Sequence, residues 1–130
     1  MRVLTSEERV YVVTIDDVVV EIKPLTPGRI DRVKKKYTKT RLEKGERVEE
    51  TDWLSVNAEL FVYCVVDWRG LEDEEGRPLE CDNRNKALVA KLNPGFASKV
   101  IDKAASIEDL VNKEELKNSS GGPDGPLATQ

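Results

Sequence analysis

The sequence predicts a mainly α fold: a small bundle of about four to five helices with an N-terminal β-hairpin, α+β by strict count. Three observations carry this expectation. Apolar residues recur at helical spacing in several separate segments between Thr26 and Val111. Most of those segments open on a capping residue, twice with proline next. Only one stretch, near the N-terminus, sets β-branched runs on either side of a short turn.

That stretch is Tyr11-Val12-Val13-Thr14-Ile15, then Asp16-Asp17, then Val18-Val19-Val20-Glu21-Ile22. It reads as a hairpin over about residues 10–23 with a two-residue turn. A lone hairpin is marginal in water, so it must pack on the helices or pair with another chain. Thr26-Pro27 then starts a helix whose apolar stripe is Ile30, Val33 and Tyr37, with Lys34, Lys35 and Lys36 mostly on the other side. Thr38 to Glu50 is polar and charged around Gly45 and reads as a fraying helix end and a loop. Thr51 or Asp52 caps the next helix. Its face is Trp53, Val56, Leu60, Phe61, Cys64 and Val65, widened by Leu54, Ala58 and Val62. A helix apolar around most of its girth is buried among several neighbours, so this one is expected at the centre. It is expected to end at Asp67-Trp68-Arg69-Gly70.

An acidic turn (Glu72, Asp73, Glu74, Glu75, Gly76) follows, and Arg77-Pro78-Leu79 leads out of it. Asp82 caps a helix whose expected buried stripe is Ala87, Leu88, Val89 and Leu92. Asn93-Pro94 ends it and starts another, with Phe96, Ala97, Val100, Ile101 and Ala104 at helical spacing. Ser106 and Asp109 have capping-box spacing before a short terminal helix to about Lys117. Residues 1–118 are thus expected to form one domain and residues 119–130, rich in Gly, Pro and Ser, a disordered tail.

Composition narrows function. The 130 residues are 35% charged and 38% apolar, and no run approaches the roughly 18 apolar residues of a membrane span. Glu7, Glu8 and Arg9 stand where a signal peptide would need an apolar core, so the cytoplasm is the expected compartment. There is no histidine, which removes the commonest general base and metal ligand. Cys64 and Cys81 make neither a disulfide framework nor a zinc site. A net charge of −4 argues against nonspecific DNA binding. The charge is unevenly spread: Arg29 to Arg47 holds nine basic and three acidic residues, and Asp67 to Asp82 two basic and seven acidic. Those segments read as solvated surface or, more sharply, as complementary surfaces between copies of the chain or with a partner.

The chemical motifs are weak. Asp73, Glu75 and Gly76 fall at the third, fifth and sixth places of a calcium loop, but Leu71 would then stand first and Asp82 twelfth. The adjacent carboxylates have no burying shell to perturb them. Pro94-Gly95-Phe96 is a generic helix start. Trp53 and Trp68 bracket the central helix, as core residues or as interface anchors. No metal, cofactor or catalytic residue is assigned, and the chain is read as a non-enzyme.

The segment from Val65 to Asp82, with Trp68-Arg69-Gly70-Leu71, an acidic turn and Gly76-Arg77-Pro78-Leu79 before a capped helix carrying Asn85, Leu88 and Leu92, resembles the tail assembly chaperones of long-tailed bacteriophages. The resemblance spans roughly Leu54 to Leu92. It implies a small, mostly helical protein of the host cytoplasm that binds the tape measure protein and keeps it soluble. The tail tube protein would be a further contact, and the chaperone would be missing from the mature virion. In such a family a longer, frameshifted form is often made, and the C-terminal tail would suit that junction. Two alternatives stand beside it: a structural phage component such as a head–tail connector or minor tail protein, and a nucleic-acid-binding regulator using the basic segment. Self-association is expected through the hairpin edge. Phe96, Ile107, Leu110 and Val111 are the expected partner-binding residues, although core packing explains them equally well.

Overall fold

The structure, a computed structural model, describes residues 1–111. The end of the expected terminal helix near Lys117, the boundary at residue 118 and the tail over residues 119–130 lie outside the described residues.

The expected hairpin forms. β1 (Tyr11–Ile15) pairs antiparallel with β2 (Val18–Ile22), Ile15 opposite Val18. Asp16 and Asp17 sit at φ 50° and 68°, left-handed values that a two-residue hairpin turn needs and that Asp tolerates better than most residues. Alternation turns Val18, Val20 and Ile22 inward to burial and leaves Val12 on the outer face at 61% exposure.

α1 (Pro27–Lys36) follows, with Thr26 Oγ1 accepting from the Arg29 amide at 3.3 Å and proline in the first turn. The N-terminal segment straps over this junction. Glu7 accepts from the Thr26 hydroxyl at 3.1 Å and pairs with Arg29 at 3.5 Å, while Glu8 pairs with Lys23 at 3.5 Å. Lys23 and Arg29 both stack on the Tyr63 ring, 4.3 and 3.8 Å from its centroid.

The mainly α expectation fails at two places. The segment read as a fraying helix end and loop is a second hairpin, β3 (Thr38–Glu43) and β4 (Glu46–Thr51), paired in register from Thr38–Thr51 to Glu43–Glu46. Lys44 and Gly45 make its turn at φ 53° and 79°. The second failure is at the end of the central helix. α2 (Trp53–Cys64), capped by Asp52, stops short of the expected end at Asp67-Trp68-Arg69-Gly70, and β5 (Val65–Arg69) continues the chain as a strand. β5 pairs antiparallel with β2, giving a three-stranded sheet in the order β1-β2-β5, separate from the β3-β4 pair. A register shift at Glu21/Ile22 leaves Val66 bulged and 40% exposed, while Val65 and Trp68 turn into the core. With five strands in two sheets among the described residues, the fold is α+β.

α3 (Asn83–Leu92) and α4 (Pro94–Ala105) complete the layer over the sheet, and a further helical segment covers 107–111. Asp82 caps α3 through the Asn85 amide at 2.8 Å. Asn93 does not cap α4. Its side chain donates back to Val89 O at 3.2 Å and closes α3 instead. Ser106 likewise turns back: its hydroxyl bonds Asp102 O, so no capping box forms with Asp109, whose amide donates to Ser106 O at 3.0 Å.

The buried apolar residues form one cluster centred on α2, with Phe61, Cys64, Ile22 and Val100 all at 0–1% exposure. Burying a side chain of this size is worth about 1.5–3 kcal/mol. Trp68 belongs to this core at 5% exposure, whereas Trp53 is 54% exposed at the start of α2, with Lys34 Nζ 5.6 Å from its ring. Leu54 is exposed as well.

Candidate functional site

Where the acidic turn folds back on the helical layer, it leaves an open groove of about 630 Å³. The turn is a small hairpin of its own. Leu79 donates to Leu71 O at 2.9 Å, Asp73 to Arg77 O at 2.8 Å, and Gly76 takes φ 80° at the bend. Asp73 Oδ1 accepts from the Glu75 and Arg77 amides at 2.9 and 3.0 Å. Those bonds explain why so acidic a sequence holds a defined shape: an aspartate side chain satisfies amides that would otherwise need a longer strand pair. Trp68 anchors the assembly. Its indole Nε1 donates to Leu79 O at 2.8 Å, tying the turn to β5.

The groove floor is apolar. Val18 enters from β2, Val89 from α3, Phe96 from the first turn of α4, and Leu71 and Leu79 from the acidic hairpin. Phe96 also touches the core, its ring 6.2 Å from that of Phe61 in an edge-on arrangement. The lip is formed by Leu88 and Leu92, which are 44% and 75% exposed. The rim carries Asp16, Glu72, Asp73 and Glu74. Lys99 neutralises Asp16 at 2.9 Å and Arg77 reaches Asp73 at 3.5 Å. Glu72 and Glu74 have no ion-pair partner among the described residues, so the rim keeps negative charge.

Leu88 and Leu92 were expected in the buried stripe of their helix. Of that stripe the structure buries Val89, and it adds Ala90 in place of the two leucines. α3 has apolar residues on more than one face, and only one stripe can meet α2 and α4. Leu88 and Leu92, four residues apart and hence on one face, form the stripe that the core leaves over. That redundancy was the readable signal. Of the expected partner-binding residues, Phe96 lines the groove. Ile107 and Val111 are buried at 1% and 8%, Leu110 packs partly buried against the same core, and none of the three lines the groove.

The largest proton-affinity shift falls on Cys64, whose thiol burial pushes up to about 12, deep in the core. Among the described residues no cluster of His, Cys, Asp and Glu could hold a metal ion, and no helix is long and apolar enough to cross a membrane. An apolar trough with an exposed leucine lip and acidic edges is suited to holding a polypeptide segment.

Searches of curated proteins and of solved structures each returned no significant match. A scan of protein-family models matches residues 3–117 to the phage XkdN-like tail assembly chaperone proteins. Partners of such a protein are other proteins of tail assembly. With the match covering well over half of its length, the chain belongs to the phage XkdN-like tail assembly chaperone family.

Proposed function

We propose that this protein binds the tape measure protein of its phage in the host cytoplasm, keeps it soluble until the tail tube assembles around it, and is missing from the finished virion. It does so by docking alone, without catalysis. Family membership supports the general role. The observation that carries the finer reading is the leucine-lipped groove, because a tape measure protein exposes long apolar helical stripes before assembly. An apolar helical segment laid in the groove would cover Leu88 and Leu92, whose exposure is otherwise an aggregation liability.

The test is co-expression with the phage's own tape measure protein. The wild-type chaperone should hold the client in the soluble fraction. Leu92→Asp should lose that ability while keeping its melting temperature, since Leu92 is 75% exposed. Full solubilisation by the variant would remove the groove from the reading. Stoichiometric recovery of the protein from purified virions would instead identify a structural component.

A further inference from the structure

A second constellation lies outside both the core and the groove, where the N-terminal segment crosses the start of α1. Its fixed side is cationic and aromatic. Lys23 and Arg29 stand over the Tyr63 ring, 4.3 and 3.8 Å from its centroid, and are therefore close neighbours of each other. Rigid elements hold all three in place. Tyr63 belongs to α2, Arg29 to the first turn of α1, and the Lys23 amide donates to Cys64 O at 2.8 Å. Two cations over one ring repel one another, so the site carries a standing demand for carboxylates. In the free chain Glu7 and Glu8 supply them. Glu8 pairs with Lys23 at 3.5 Å, and one Glu7 oxygen meets both the Arg29 guanidinium at 3.5 Å and the Thr26 hydroxyl at 3.1 Å.

The strap itself is loosely built. Residues 1–10 form no helix or strand, and the Glu7 and Glu8 side chains stay 40% and 73% exposed. Ion pairs so long and so open to solvent contribute little to holding a segment down. The fit is incomplete as well: the Tyr63 hydroxyl, on the same ring, is buried with no hydrogen-bond partner among the described residues. We propose that Glu7-Glu8 occupy in cis a docking site for an acidic segment of a partner protein. That segment is an extended stretch with adjacent carboxylates, and it displaces the strap to reach Lys23, Arg29 and Tyr63. The strap reports the ligand chemistry, because its own two carboxylates already meet the two cations. A tethered occupant competes at an effective concentration in the millimolar range, so the strap sets a threshold that a singly charged segment fails and a richer acidic one passes. The site shares no residue with the groove and stands independently of the reading of that groove as the client's seat.

Titration of the full chain against a fluorescein-labelled hexaglutamate peptide, read by fluorescence anisotropy, tests this. The net charge of −4 disfavours a nonspecific complex with so acidic a probe. Wild type should bind weakly. Glu7→Gln combined with Glu8→Gln should bind about tenfold tighter, the gain expected when a strap closed nine-tenths of the time no longer competes. Lys23→Gln combined with Arg29→Gln should lose binding, and high salt should weaken it wherever it occurs. A second measurement on the wild-type chain needs no variant to fold. As the peptide is added, the NMR amide signals of residues 3–9 should move toward random-coil positions along the same isotherm as the anisotropy. Absence of binding to the Glu7/Glu8 variant, equal affinity of that variant and wild type, binding that survives loss of both cations, or saturation with the strap signals unmoved would each overturn the proposal.

Discussion

Cys64 and Cys81 carry the same thiol in two settings, and the setting decides their chemistry. Cys64 is fully buried on α2, and burial pushes its pKa up to about 12. Cys81 sits half-buried beside β5, and its pKa is raised chiefly by the same loss of solvation. Thiolate is the reactive form, and access is needed as well. A maleimide reagent should therefore modify one cysteine per native chain, at Cys81, and two after unfolding; native labelling of Cys64 would contradict the packing of α2. Glu59 provides a second test at a single residue. One carboxylate oxygen accepts from Lys36 Nζ and from the Tyr37 hydroxyl, each at 2.8 Å. The Lys36 bond is the main reason its pKa falls below the ordinary 4.5. A depressed carboxylate stabilises the fold above that ordinary value and loses the contribution as pH falls through the lowered one. Glu59→Gln should thus be less stable than wild type at neutral pH, with the difference in denaturation midpoint vanishing in acid. A difference that persisted in acid would assign Glu59 a packing role in place of an electrostatic one.

Elements were legible where a local signal and the tertiary fold agreed. Thr26-Pro27 and Asp82 announced helix starts that need only their own neighbours, and Asp16-Asp17 between β-branched runs announced β1 and β2. Both hidden pieces of β-structure lacked such a signal, for opposite reasons. β5 follows α2 with no break in apolar character, because both are buried; what makes Val65–Arg69 a strand is the edge of β2, more than forty residues earlier in the chain. β3 and β4 are solvated on both faces, so they lack the apolar alternation that marks a strand, and only Lys44-Gly45 marked their turn. The groove was half legible. The sequence points to Phe96 as a contact residue, whereas the helical spacing of Leu88 and Leu92 fits burial equally well and hides their exposure. The β1-β2 turn carries a prediction of its own. Asp17 stands at φ 68°, where a side chain is strained and glycine is not. Asp17→Gly should raise stability by roughly 0.5–1 kcal/mol, since Asn-Gly and Asp-Gly are the favoured pairs in this turn. Asp16 should be left alone, because its carboxylate holds Lys99.

At the scale of the molecule, one part carries the stability and another lies outside it. The core runs from the inner face of β1-β2-β5 through α2 to α4, and β3-β4 contributes no buried residue to it. A two-stranded hairpin has little independent stability in water, so its persistence in the chain calls for a use other than folding. The division can be tested without a partner. Replacing residues 38–51 with a short glycine-containing turn should preserve the fold, because the chain on either side is already brought together by the Tyr37–Asp52 backbone bond at 2.9 Å. Shortening the connection also lowers the entropy of closing it, by about 0.6 kcal/mol for each halving of loop length. The melting temperature should accordingly stay within a few degrees of wild type, 1 kcal/mol being about 4–8 °C for a domain near this size. Phe61→Ala, by contrast, opens a void where Phe61, Trp68 and Phe96 meet and should cost about 3–5 kcal/mol. Thermal unfolding by circular dichroism separates the two outcomes. If removing the arm cost as much as removing Phe61, the second hairpin would be part of the stable body after all, and its exposed leucine would need an explanation inside the fold.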